Sequence, residues 1–147
     1  MLSMKISTRG RYALRVMIDL GTHQSSGNIS LKDISSRQDI SMKYLEQIMP
    51  ALTRAGIVRG ARGARGGYSL SKSLNQYTPK DIIEVVEGPI ACVSCLETDK
   101  NNCPRYNQCP TISLYEGLNK VIIEYLESYT LQDLADSIDL DNWDYII

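Results

Sequence analysis

The sequence predicts a mainly α fold with a small β-hairpin wing, a winged helix-turn-helix followed by a long C-terminal helix. Three observations predict it. Two short, capped helical segments joined by a tight break lie in residues 30–56, a Gly/Arg-rich hairpin pattern follows at 57–71, and a long apolar stripe at helical spacing begins after Thr111. At 147 residues the chain can hold one core and an extension.

The first helix is predicted in MKISTRGRYALRVMIDLGTH, where Tyr12, Leu14, Val16, Met17, Ile18 and Leu20 fit a buried helix and Arg9, Arg11 and Arg15 lie near its start. A turn signal, Ser25-Ser26-Gly27-Asn28, ends it. Ser30 can then cap LKDISSRQ, with Asp33 at the capping-box position and Leu31 and Ile34 on one face. After the break Gln38-Asp39-Ile40, Ser41 can cap MKYLEQIMPALTRAG, whose Leu45, Ile48, Met49 and Leu52 form a core face that Gly56 terminates. Pro50 lacks a backbone donor, which predicts a kink or an early end there. The second helix of such a pair enters the major groove of DNA.

Next, IVRGARGARGGYSLS reads as strand, Gly/Arg tip and strand. Gly63, Gly66 and Gly67 permit the tight path, while Arg62 and Arg65 at the tip suit a minor groove or phosphates. A nucleotide-phosphate cradle is the competing reading, but no Walker-type or dinucleotide-binding context accompanies the glycines. Downstream, Thr78 can cap PKDIIEVVE with Pro79 at its first position and Gly88 at its end. From Thr111, Leu114, Leu118, Val121, Ile122, Tyr125, Leu126 and Tyr129 make the long stripe. Thr130 and Asp133 fit a further cap for LQDLADSI, and the tail is expected to dock through Trp143, Tyr145 and Ile146.

Charge separates the chain into two halves. Residues 1–74 carry 12 Lys and Arg against 4 Asp and Glu, and residues 75–147 carry 4 against 13. A net +8 followed by a net −9 is hidden in the overall −1. The basic half has the footprint of a polyanion binder, since each neutralised phosphate releases a counterion. No Ser/His/Asp, Cys/His or paired-carboxylate constellation supports an enzyme. With no secretory start and no apolar run near the roughly 20 residues of a membrane span, a cytoplasmic protein is expected.

All four cysteines fall within 18 residues, at Cys92, Cys95, Cys103 and Cys109. In a reducing compartment, clustered cysteines are more often ligands or redox groups than disulfides. Thiolates suit iron–sulfur clusters or zinc. Zinc usually pairs two short knuckles, whereas only Cys92 and Cys95 have that spacing; free or redox-switching thiols are the remaining alternative.

The segments MKISTRGRYALR, ISMKYLEQI, LTRAGIV, RGARGGYSLS and DIIEVVEGPI resemble the Rrf2-type bacterial winged-helix regulators, the family that includes IscR, NsrR and CymR. The resemblance covers nearly the whole chain. It implies a homodimeric transcription factor, most simply a repressor, that binds double-stranded operator DNA and pairs through the long helix. The implied organisation is a winged helix-turn-helix DNA-binding domain over 1–88, a cysteine-rich cofactor loop over 89–110, and a dimerisation helix with tail over 111–147.

By motif, Ser41, Lys43, Tyr44 and Glu46 would lie at the groove-facing start of the recognition helix and Arg62 and Arg65 in the wing, with Arg11 and Arg59 completing the basic set. Glu46 is the specificity candidate, since a carboxylate accepts from a cytosine amino group and repels phosphate; a helical pair with Lys43 is its bland alternative.

Cys95, Cys103 and Cys109 are similar in spacing to the family's three-cysteine loop, which implies a 2Fe–2S or 4Fe–4S cluster sensing iron–sulfur, redox or nitric-oxide status. The family's usual fourth ligands have no counterpart, because Ile112 and the region of Arg11 stand at those positions. His23 is read as a surface residue at a helix end. Cys92 is the economical fourth ligand and Glu87 a distant substitute. Alternatives are a cluster-free or zinc-bound regulator of sulfur metabolism partnered by a cysteine-synthesis enzyme, and a metal-binding adaptor that does not bind DNA.

Overall fold

The computed structural model describes residues 5–144, with side chains excluded at Ser26 and beyond Ile138. Among the described residues, six α-helices and one hairpin run in the order α1 (Thr8–Thr22), α2 (Leu31–Gln38), α3 (Met42–Arg54), β1 (Val58–Ala61), β2 (Gly67–Leu70), α4 (Pro79–Glu87), α5 (Ile112–Glu127) and α6 (Leu131–Asp144). This is the mainly helical, winged helix-turn-helix architecture that the sequence predicts.

Local chemistry sets the helix starts. Ser7, Ser30 and Ser41 accept from the backbone N–H three residues on, and Thr78 with Asp81 forms a reciprocal capping box under Pro79. Thr130 and Asp133 exchange the same pair of bonds before α6. Each cap satisfies donors that the helix leaves orphaned and is worth about 1 kcal/mol.

Pro50 ends nothing: α3 continues to Arg54. Glu46, whose carbonyl would have accepted the missing bond, and Pro50 are both exposed, so water can satisfy that carbonyl. Meanwhile Met49 and Leu52 on the other face are buried and hold the helix to the core.

That core joins Val16, Met17 and Leu20 of α1 to Ile34 of α2, Leu45, Ile48 and Leu52 of α3, Ile82 and Val86 of α4, and Leu131 of α6. A buried polar network fixes the angle between α1 and α2. The Asp19 carboxylate accepts from Arg37 Nε at 2.9 Å, Arg37 Nη2 at 2.7 Å and Gln38 Nε2 at 2.9 Å. Burial pushes the Asp19 carboxyl up, but these donors and the Arg37 charge outweigh it and hold the group below the usual aspartate range. Asp39 then turns the chain in the left-handed region, with φ 54°, between α2 and α3.

The hairpin pairs Val58 with Leu70 through Ala61 with Gly67. A third extended piece joins it, because Ile29 donates to Tyr68 O at 2.9 Å and Tyr68 donates to Ile29 O at 2.7 Å. Gly67 is what allows this approach. Its φ is +133°, and a Cβ there would lie 2.5 Å from Ile29 O.

α5 buries no residue. Leu114, Val121 and Tyr125 are 64%, 62% and 63% exposed, whereas Leu131, four residues beyond the helix, is fully buried in the winged-helix core. The helix is tied to α4 by Lys80, whose ammonium lies 3.5 Å from Glu84 and 3.4 Å from Glu127. Docking of the tail through Trp143, Tyr145 and Ile146 lies outside the described residues and side chains. No helix among the described residues is long and apolar enough to cross a membrane.

Candidate nucleic-acid interface and cysteine loop

The helix-turn-helix presents the first turn of α3. Ser41 Oγ accepts from Tyr44 N at 3.1 Å, so this hydroxyl is spent on the cap while the residue stays exposed. Lys43, Glu46 and Gln47 are exposed on the same helix. Glu46 has no ion-pair partner among the described residues, which leaves its carboxylate open to an incoming group. Tyr44 is half-buried, its ring packed edge-on against Tyr12 at 5.0 Å, so the ring belongs partly to the α1–α3 contact. Arg15 stacks over that same Tyr12 ring at 5.4 Å and also donates to the Gln38 carbonyl.

Arginines frame this surface. Arg9 donates to Gln47 O at 3.4 Å, bracing α1 on α3, and Arg11 donates to Thr8 Oγ1 at 3.0 Å. Arg59 on β1 and Arg62 and Arg65 on the tip are exposed. The tip is a tight turn in which Gly66 donates to Gly63 O at 2.9 Å, with Gly63 at φ +100°. The predicted DNA-contacting residues thus fall on α1, α3 and the wing of one winged helix.

The cysteine loop lies between α4 and α5 and contains two single 3-10 turns, Ser94–Leu96 and Tyr106–Gln108. It does not bring the four predicted ligands together. Among the described residues no three Cys, His, Asp or Glu side chains converge in a metal-holding group. The reason is local. Cys92 is held at the base of the loop, where its N–H donates to Asn119 Oδ1 at 2.9 Å and its Sγ to Tyr115 O at 3.4 Å.

Cys109 Sγ sits 3.4 Å from Thr111 Oγ1, and Cys103 is exposed. Hydrogen bonds from the Thr111 hydroxyl and backbone lower the Cys109 thiol below the ordinary cysteine value. All four thiols are free. The donor chemistry suits a thiolate-ligated group, while the placement shown is not that of a preformed centre.

Glu87, the substitute ligand, is engaged elsewhere: its carboxylate accepts from the Ser7 N–H at 2.8 Å and from the Ser7 hydroxyl at the start of α1. His23 caps the other end of α1, half-buried, with Nδ1 2.9 Å from Asp19 O.

A family model described as Rrf2, iron-dependent transcriptional regulator, matches residues 6–137. The chain belongs to the Rrf2 family. Among Rrf2-type relatives, it is 42% identical to the HTH-type transcriptional regulator CymR of Bacillus subtilis, over 92% of this chain and 93% of the relative. The solved structure of that protein, described as the global cysteine regulator of B. subtilis, aligns with a TM-score of 0.73 over 93% of this chain and 98% of the other.

The T. potens IscR structure aligns with a TM-score of 0.72 at 38% identity, over 91% of this chain and 88% of that one. The IscR regulator of Pectobacterium carotovorum is 34% identical over 91% of this chain and 80% of its own. This is therefore an Rrf2-family helix-turn-helix transcriptional regulator of IscR/CymR type. These CymR and IscR relatives are named as transcriptional regulators, not enzymes.

The α1–α2 linker contact with the wing was not predicted from the sequence. The one available signal was the second glycine of Gly66-Gly67, beyond what the tip turn itself needs.

Proposed function

We propose that the chain is a cytoplasmic, homodimeric repressor that reads operator DNA with two winged helices, and that the state of its cysteine loop sets operator affinity. One observation carries the reading: the cysteine loop is the covalent link between the basic winged helix and α5, a helix with an unburied apolar face. Residues 1–88 act as the DNA-binding unit, 89–110 as the cofactor loop and 111–147 as the dimer-forming segment. Leu114, Leu118, Val121 and Tyr125 are exposed on α5, as is Tyr129 just beyond it, and they are what a second copy would cover.

Cys95, Cys103 and Cys109, with Cys92, would hold an iron–sulfur cluster, 2Fe–2S or 4Fe–4S. When bound, such a group supplies iron–sulfur bonds that oxygen, nitric oxide or iron starvation can break. The chain's own part is mechanical. Cys92 touches α5 at Asn119 and Tyr115, so moving Cys92 into a ligand position alters how the loop holds that helix.

On the DNA side, Arg11, Arg59, Arg62 and Arg65 contact phosphates or the minor groove. Ser41, Lys43 and Tyr44 seat α3, and Glu46 discriminates among bases.

The test is anaerobic purification with iron and sulfide analysis, followed by binding to a duplex from upstream of its own coding region. The reading expects iron, sulfide, visible absorbance and an affinity that changes when the cluster is removed. The Cys95/Cys103/Cys109→Ala triple variant should lose both absorbance and the change. An affinity indifferent to cluster removal would refute the sensing role and spare the repressor.

A second reading is a cluster-free or zinc-bound regulator of sulfur metabolism that works with a cysteine-synthesis enzyme. It is favoured by the unconverged cysteines and by the similarity to a global cysteine regulator. Protein free of iron and sulfide that binds DNA fully would support it.

A further inference from the structure

The wing tip is exposed at Arg62, Gly63, Ala64 and Arg65 and extends past the last strand pair, Ala61 with Gly67. Among the described residues a single side-chain hydrogen bond reaches it. Asn28, in the linker between α1 and α2, donates from Nδ2 to the Arg65 carbonyl at 3.2 Å. The next residue, Ile29, makes two backbone bonds with Tyr68, and Gly67 lacks the Cβ that would collide with Ile29. Linker and wing are therefore built against each other, with Asn28 at the outer end of the seam.

We propose that Asn28 is a positioning residue for DNA binding: by holding the Arg65 carbonyl it fixes the backbone of the tip and aims the Arg65 side chain at the DNA. The inference rests on the reading of Arg65 as a DNA contact. A free tip would have to be ordered on every binding event, an entropic cost that a pre-placed tip avoids. The amide is suited to the task because it donates to a carbonyl without carrying charge into a surface that meets phosphate. Asp in its place would turn an acceptor towards the Arg65 carbonyl and add a negative charge beside the DNA.

The experiment is a double-mutant cycle of Asn28→Ala and Arg65→Ala in the full chain. Affinity is measured for a duplex from upstream of its own coding region, with hydroxyl-radical footprints and thermal midpoints recorded in parallel. The bond is exposed, so the midpoint of Asn28→Ala should match the wild type. Its affinity should fall by about three- to tenfold, the scale of one hydrogen bond, and protection under the wing should weaken. Asn28→Asp should lose more. In the Arg65→Ala background Asn28→Ala should change nothing further.

If Arg65→Ala weakens binding and Asn28→Ala does not, the positioning role is overturned and the wing reading stands. Equal losses from Asn28→Ala in both backgrounds overturn it too, since Asn28 would then act independently of Arg65. If Arg65→Ala binds like the wild type, the wing reading falls and takes this inference with it.

Discussion

Gly67→Ala should be among the most damaging single-methyl additions to this chain. At φ +133° an L-residue is strained by about 1–3 kcal/mol even in open space. Here the new Cβ would lie 2.5 Å from the Ile29 oxygen and 2.7 Å from its carbonyl carbon, both backbone atoms that cannot rotate away.

Relief means moving Ile29 off the hairpin and weakening its 2.9 and 2.7 Å bonds with Tyr68, at about 1 kcal/mol each. The sum is roughly 3–5 kcal/mol, which corresponds to a thermal midpoint lower by about 10 °C or more for a chain of this size. Gly117→Ala is the internal control. Gly117 lies within α5 with nothing within 4 Å of its Cβ position, so alanine should stabilise by about 0.5–1 kcal/mol through helix propensity. Thermal and urea unfolding of both variants gives the comparison. A Gly67→Ala protein as stable as the wild type would refute the seam between linker and wing.

Arg65→Ala should weaken operator binding and lower the salt slope by about 1, whereas Arg105→Ala in the cysteine loop should leave both nearly unchanged; equal effects in gel-shift titrations at several salt concentrations would contradict the wing assignment. Val121→Glu, a charge placed on a residue 62% exposed in one chain, should yield monomers by sedimentation without changing helix content, and a dimer that persists would move the interface elsewhere. Because the Asp19 carboxyl is held below its unfolded value, its contribution is fully present above that value and is lost as pH falls through the lower, folded one; Asp19→Asn should flatten the acid limb of unfolding and cost stability at neutral pH.

The parts of the fold legible in the sequence are those decided within a few residues. Ser30, Ser41, Thr78 and Thr130 announced their helices because a cap bonds three positions ahead. The glycine spacing and the two tip arginines located the wing for the same reason. Of the kink or early end expected at Pro50, the early end does not occur, because the proline penalty is local whereas the burial of Met49 and Leu52 that overrides it depends on partners in other helices.

Long-range contacts carried no such signal. Ile29 meets Tyr68, Asp19 meets Arg37 and Cys92 meets Asn119 across loops that no periodicity describes. At the site, the composition of the cysteine loop was plain, but the placement of Cys92 and Cys109 depends on Tyr115, Asn119 and Thr111. Nothing local in the sequence singles those residues out.

In the proposed mechanism, the anchoring of α5 would give the cysteine loop its leverage. Four residues beyond its C-terminal end lies Leu131, fully buried and donating to Tyr77 O at 2.9 Å, and Glu127 pairs with Lys80. That end moves with the winged helix. Nearer its start, α5 is met by Cys92 through Asn119 and Tyr115, and Tyr106 of the same loop donates to Glu116 at 2.9 Å. The 16-residue helix is about 24 Å long, so a displacement at the loop end with the other end fixed becomes a rotation of the whole apolar face. If that face pairs two copies, the rotation is transmitted twice, once per chain, to the separation of two wings and two recognition helices. Half-site spacing is the quantity a two-headed DNA reader is least able to change without losing affinity. A loop at the other end of α5 would lack this advantage, because there the buried Leu131 already holds the helix to the core.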